Sequence, residues 1–197
     1  MKKKVQQKML RNGLAISNAI QIYLQNFIRM RKIVVAVLLL GLLLSGCAKN
    51  SSSFTCTYDP CAYQAPASEI TQLESYLSNA GITNAVKHCS GMYYQITNPG
   101  TDATPTTCSN VVVNYKGALT NGTVFDQTTG SPVSFPLATL IEGWKKGIPL
   151  IKKGGSITLY VPPTLGYGPN DQKDANGNIV IPANSILIFN VQLVDVQ

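Results

Sequence analysis

The tightest constraint in the sequence is the alternation near its C-terminal end, where Leu187, Phe189, Val191 and Leu193 alternate with Ile188, Asn190, Gln192 and Val194. Successive side chains of a strand point to opposite faces, so this run commits one face of a sheet to a core. A second run repeats the pattern, with Ile157, Leu159 and Val161 around Thr158 and Tyr160. Residues 92–96 and 111–115 are further β-rich runs bounded by turn residues, and Asn121-Gly122 is a hairpin signal. A short helix is predicted over residues 138–141 and their neighbours, leading into Gly143 and Trp144. Together these predict an α+β domain, an antiparallel sheet with a short helix on one face.

Between the strands the sequence spaces its distinctive residues widely. The blocks are Val111-Val112-Val113-Asn114-Tyr115-Lys116-Gly117, Gly122-Thr123-Val124-Phe125-Asp126, Leu140-Ile141-Glu142-Gly143-Trp144, Tyr160-Val161-Pro162-Pro163 and Gly166-Tyr167-Gly168. Tyr115, Phe125, Trp144 and Tyr167, with the carboxylate of Asp126, suit a concave aromatic pocket better than one helix face. In order and spacing the blocks resemble the FKBP-type peptidyl-prolyl cis/trans isomerases, over residues 91–197. The resemblance implies a bent antiparallel sheet wrapped around the short helix, with a pocket between them. It implies that Tyr115, Phe125, Trp144 and Phe189 line a prolyl pocket floored by Trp144. Leu140 and Ile141 would form its wall, and Ile181 would belong to an apolar lip. The Ile141 N–H and the Tyr167 hydroxyl would hold substrate carbonyls, while Asp126 would orient the peptide at the rim. These three are the expected catalytic residues, with no general base, cofactor or metal.

The sequence also departs from that pattern. Val133 stands where many relatives carry an aromatic, two positions before Phe135. The basic partner often found beyond the rim carboxylate is missing from residues 127–131, which predicts a less constrained Asp126. Residues 169–180 form a longer, polar segment expected to overhang the pocket mouth. Its Asp171, Asp174, Asn176 and Asn178 fail the EF-hand spacing, and Asn176-Gly177 reads as a turn.

The formal charge of +7 would ordinarily point to nucleic acid or a membrane surface. Eight of the 16 basic residues precede Cys47, however, whereas all nine acidic residues follow it. From Cys47 onward eight positive charges face nine negative ones, a net of −1, so no nucleic-acid partner is expected. Met30-Arg31-Lys32 opens an apolar run of 12 residues that ends at Leu44-Ser45-Gly46-Cys47. That length falls short of the ~20 residues a membrane span needs and reads as a signal. The last four residues resemble a bacterial lipobox, which implies cleavage before Cys47 and acylation of that cysteine. Ala48, in place of an inner-membrane retention Asp, favours the outer membrane of the cell envelope, facing the periplasm or the cell surface. Several acyl chains on one residue give stable anchoring.

Residues 49–53 form a polar tether. Cys56, Cys61, Cys89 and Cys108 then make an even set, which in an exported chain favours two disulfides with three possible connectivities. Proximity in sequence favours Cys56–Cys61 and Cys89–Cys108. A zinc site is disfavoured, because Cys-x4-Cys beside the lone His88 is not a zinc spacing. An amphipathic helix is predicted from Ser68, with Ile70, Leu73, Leu77 and Ala80 on one face and Gly81 as its stop; packing on the domain's own core is its expected role. Larger FKBP-type envelope proteins dimerise through long N-terminal helical regions, and this helix is too short for that, so a monomer is expected.

The chain thus divides into a signal region at 1–46, with the working signal at 30–46 and 1–29 either an unusually long n-region or an upstream extension that is not translated. A lipidated cysteine and linker follow at 47–67, a helical extension at 68–90 and the isomerase-type domain at 91–197. The expected function is an envelope-anchored prolyl isomerase acting on proline-containing, unfolded or partly folded polypeptides, with macrolide inhibitors as further ligands of the pocket. The alternative is a chaperone or peptide-binding module that uses the same pocket without turnover.

Overall fold

The computed structural model describes residues 56–197; the signal region, Cys47 and the 49–53 tether lie outside the described residues. Among the described residues no helix is long and apolar enough to cross a membrane. In chain order the strands are β1 (Val86–Lys87), β2 (Tyr93–Asn98), β3 (Asn110–Leu119), β4 (Val124–Gln127), β5 (Val133–Pro136), β6 (Ser156–Val161), β7 (Gln172–Lys173), β8 (Ile179–Ile181) and β9 (Leu187–Val196). Helix α1 (Ala67–Asn79) precedes them, and α2 (Glu142–Gly147) lies between β5 and β6.

The two alternating runs become neighbours at the middle of a seven-stranded sheet ordered β1-β2-β6-β9-β3-β4, with β5 also on β3. All its pairings are antiparallel. The 10-residue β3 pairs with β9 along one edge, and its other edge serves two partners, β5 at residues 110–113 and β4 at 116–118. Leu187, Phe189, Val191 and Leu193 are all buried on the core face, as are Ile157, Leu159 and Val161. Tyr160 breaks the in-out rule because it is also buried, on the opposite face. There α1 lays Leu73 and Leu77 against it, with Tyr93, Ile186 and Ile188 packed around them. Burying a leucine as fully as Leu73 contributes about 1.5–3 kcal/mol. The rest of that outer face is polar, with Asn114 donating to Gln192 at 3.1 Å and Thr158 to Asn190 at 3.0 Å.

On the core face α2 approaches β6 at glycine distance. A Cβ at Gly143 would stand 2.7 Å from both Val161 γ-carbons, and one at Gly147 would stand 2.5 Å from Leu159 Cδ2. The helix begins later than the sequence predicts. Leu137–Thr139 form a single 3-10 turn, closed by the Thr139 hydroxyl on the Pro136 carbonyl at 2.8 Å, and Leu140 and Ile141 are extended. Leu137, Leu140, Ile141 and Trp144 have the spacing of one helical face, yet the chain breaks at 140–141.

The cysteine pairing predicted from proximity is wrong. The bridges are Cys56–Cys108 and Cys61–Cys89, with Cα–Cα distances of 5.9 and 5.5 Å. The Asp59-Pro60 turn explains the exchange. Asp59 Oδ1 accepts from the Cys61 N–H at 2.8 Å, and beyond it the chain runs beside residues 89–90, with the Ala65 N–H on the Ser90 carbonyl at 2.9 Å. Cys61 is thereby carried to Cys89 and away from Cys56. The segment at 169–180 is not an open loop: most of it is the β7–β8 hairpin, which ends at Ile181. Asp174 serves its turn, accepting from the Asn176 and Asn178 N–H groups at 2.9 Å each.

Candidate active site

A cavity of about 260 Å³ opens between α2 and the core face of the sheet. Its floor is Trp144, only 4% exposed, and three rings meet it edge to face: Tyr115 at 5.3 Å, Phe189 at 5.5 Å and Phe135 at 6.3 Å between centroids. Phe125 stands on Phe189 at 5.6 Å and 85°. Edge-to-face pairs at these distances are the favoured aromatic geometry and fix the rings beyond simple burial. The indole N–H of Trp144 is the one buried side-chain polar group without a hydrogen-bond partner among the described residues.

Sheet register aligns the site. Leu159, Phe189, Gly117 and Asp126 are directly paired in one row across β6, β9, β3 and β4, so Phe189 and Asp126 share a face. Gly117 in that row is obligatory, because a Cβ there would lie 2.6 Å from the Phe125 ring and 3.0 Å from Phe189. Tyr115 is clamped by Thr128, whose hydroxyl accepts its N–H at 3.1 Å and whose N–H reaches its carbonyl at 3.0 Å.

The rim is polar. Asp126 is exposed, and its Oδ2 accepts the Tyr115 hydroxyl at 2.5 Å. The expectation of a loosely held Asp126 is therefore corrected: a tyrosine supplies the partner that no basic residue does. Burial first, and then the bond to Asp126, push the Tyr115 phenol well above the ordinary tyrosine value. Tyr167, 39% exposed at the mouth, is raised too, by burial and then by the Asp126 carboxylate. Both phenols therefore stay protonated at any physiological pH and can donate. Tyr167 follows a 3-10 turn at Pro163–Leu165, and the Gly166 and Gly168 N–H groups on either side of it both reach the Pro163 carbonyl at 2.9 Å. Leu140 and Ile141 line the cavity from the break before α2. The Ile141 carbonyl receives the Trp144 N–H at 3.0 Å, while among the described residues nothing accepts the Ile141 N–H.

Tyr115, Phe125, Asp126, Leu140, Ile141, Trp144, Tyr167 and Phe189 thus converge on one cavity. Ile181 does not join them: it is buried in the core, and none of residues 169–180 lines the cavity, so the predicted overhang does not form the site. Phe135 and Thr139 line it without having been foreseen. The signal for Phe135 was available, since Val133 and Phe135 alternate between Pro132 and Pro136, the pattern of a short edge strand.

Comparison with known proteins identifies the same segment. Residues 101–194 match the family model described as FKBP-type peptidyl-prolyl cis-trans isomerase. The chain is 44% identical over 110 residues to the FKBP-type isomerase FkpA of Escherichia coli K12, covering 55% of this chain and 38% of that protein. It is 41% identical over 110 residues to the isomerase Mip of Coxiella burnetii, covering 55% and 46%. In both cases the match spans less than half of the relative. The crystal structure of Escherichia coli FkpA superposes with a TM-score of 0.56 at 38% identity, over 66% of this chain and 60% of that one. A peptidyl-prolyl isomerase of Pseudomonas syringae superposes with a TM-score of 0.57 at 25% identity, over 68% and 98%. Residues 101–194 thus carry a domain of the FKBP-type peptidyl-prolyl cis-trans isomerase family.

Proposed function

We propose that this protein catalyses cis/trans isomerisation of Xaa-Pro bonds in proline-containing polypeptides, with the cavity over Trp144 as its active site. The observation that carries the reading is the combination of an aromatic-walled cavity with neutral donors at its rim. Rotation about the imide must break amide resonance across a barrier of ~18–20 kcal/mol, and no covalent step is required. Catalysis follows if the site stabilises the twisted amide more than the planar one. Packed aromatic rings withhold the water that favours the polar planar form. The Tyr167 hydroxyl and the Ile141 N–H supply fixed donors for the flanking carbonyls. Asp126, held by Tyr115, orients the peptide at the rim. A volume of about 260 Å³ lies just under the ~300 Å³ at which drug-sized sites begin, which suits a prolyl ring with its immediate neighbours.

Two disulfides among the described residues support an oxidising compartment. Together with the signal and lipobox pattern, they support an activity on envelope proteins, with the chain anchored through acylated Cys47. The test is the cis-to-trans rate of Xaa-Pro test peptides with the wild-type protein and with Asp126→Ala, Tyr167→Phe and Trp144→Ala. Acceleration that drops in each variant is expected. No acceleration by the folded wild type overturns the reading and moves the pocket to a holding role, in which suppression of aggregation survives those substitutions.

A further inference from the structure

The family match begins at residue 101, yet the segment before it grips two parts of the pocket. At the start of α1 the Glu69 carboxylate takes both polar hydrogens of Thr164: Oε2 accepts its N–H at 2.8 Å and Oε1 its hydroxyl at 2.6 Å. Thr164 lies in the 3-10 turn three residues before Tyr167. At the Asp59-Pro60 turn, between the two bridged cysteines Cys56 and Cys61, Tyr58 donates its hydroxyl to Glu142 Oε2 at 2.7 Å. Glu142 is the first residue of α2, directly after Ile141 and two before Trp144. Lys146, 2% exposed, closes this second grip from the same helix: its Nζ donates to the Pro60 carbonyl at 3.0 Å, meets Glu142 Oε2 at 3.3 Å and lies 5.1 Å from the Tyr58 ring centroid. A buried ammonium left without these partners is costly, so α2 and the 58–60 turn are held together.

We infer that Glu69 and Tyr58 are positioning residues for the pocket: Glu69 sets the Tyr167 hydroxyl, and Tyr58 sets the start of α2 and with it Ile141 and Trp144. Neither lines the cavity, and each acts through the residue it holds. This rests on the isomerase reading above. Displacement of a reacting group by ~1 Å can cost as much as 10²-fold, so loss of either grip is expected to show in turnover before it shows in folding.

The experiment compares Glu69→Ala, Glu69→Gln and Tyr58→Phe with wild type in the full chain, and includes Gln72→Ala on the exposed side of α1 as a control. Three quantities are read well below the unfolding midpoint: kcat and KM on an Xaa-Pro tetrapeptide, and the emission of Trp144, the chain's single tryptophan. Glu69→Ala should lower kcat about tenfold with KM little changed. Glu69→Gln, which keeps an oxygen for the Thr164 N–H and can donate to its hydroxyl, should restore most of that loss. Tyr58→Phe should shift Trp144 emission and lower kcat/KM several-fold. Folded variants with wild-type kcat, KM and emission overturn the inference, as does a Glu69→Ala loss that Glu69→Gln fails to restore. If the wild type shows no turnover, the isomerase reading fails by itself. The tetrapeptide's affinity, followed by Trp144 emission in the same proteins, then decides the positioning roles: unchanged affinity and emission refute them.

Discussion

At the scale of single residues the site turns on the bond between Tyr115 and Asp126, because it joins the aromatic wall to the polar rim. Tyr115→Phe keeps the ring and its edge contact with Trp144 while removing the 2.5 Å hydrogen bond. Hydrogen bonds to charged groups are worth about 1.5–3 kcal/mol, and exposure of this carboxylate brings the expected stability loss down to about 1 kcal/mol, measurable as a lower urea midpoint. Activity should fall less in Tyr115→Phe than in Asp126→Ala, since the former leaves the carboxylate in place; equal losses in the peptide assay would show that an unheld carboxylate is useless. Most of the site was legible in the sequence because its aromatics sit beside glycines and Asp126 in recognisable blocks. Ile181 was misplaced because an apolar residue at a strand end can face either core or cavity, and register decides which. The Tyr115 to Asp126 bond was invisible because it joins two strands through side-chain direction, whereas the sequence search looked for a basic neighbour nearby in the chain.

At the scale of elements, α2 is the part on which the pocket depends, and its two glycines measure how closely it must sit on β6. Gly147→Ala places a Cβ 2.5 Å from Leu159 Cδ2. Overpacking of this kind costs about 1–3 kcal/mol, offset in part by the ~1 kcal/mol helix preference of alanine. A net destabilisation of up to about 2 kcal/mol is expected in thermal unfolding. Leu159 is fully buried, so Leu159→Ala alone costs about 2–5 kcal/mol, but it should cost less when added to Gly147→Ala than in the wild type, as contacting sites are non-additive. A purely additive pair would show that the helix is not held at that contact. The same helix predicts a pH dependence. Burial alone would raise the Glu142 carboxyl, but hydrogen bonds from Lys145, Tyr58 and Lys146 outweigh it and hold the group below the ordinary glutamate value. A depressed carboxyl contributes stability that is present above its unfolded value of about 4.3 and is lost as pH falls through its folded value. The urea midpoint should therefore drop on acidification through this range, and the drop should be shallower in Glu142→Gln. The sequence predicted a helix here but began it about four residues early. Leu137, Leu140, Ile141 and Trp144 carry a helical period, and nothing local in the sequence shows that the chain spends 140–141 in extended form to turn both residues into the cavity.

At the scale of the whole molecule, the sheet was legible and its outer covering only partly so. Alternation gave the central strands, because one buried face leaves a period of two, and it failed at Tyr160 because α1 buries the second face as well. The disulfides failed for a related reason: proximity in sequence says nothing about where a turn sends the chain. The observed bridges close loops with sequence separations of 52 and 28, whereas the nearest-neighbour scheme would have closed only short ones. On the chain-entropy account, loops of this size contribute about 3–4 kcal/mol each, so the bridges that tie residues 56–61 to the sheet domain also contribute to its stability. The pairing can be tested by counting thiols in residues 51–197, which leave out Cys47. Cys56→Ser with Cys108→Ser removes one whole bridge and should leave no free thiol, with the urea midpoint lowered by the loss of the longer loop. Cys56→Ser with Cys61→Ser breaks both bridges and should leave Cys89 and Cys108 as two free thiols, with a larger fall in stability. The opposite pattern, free thiols in the first pair and none in the second, would establish the short-range pairing and release the 58–60 turn from its anchor beside α2.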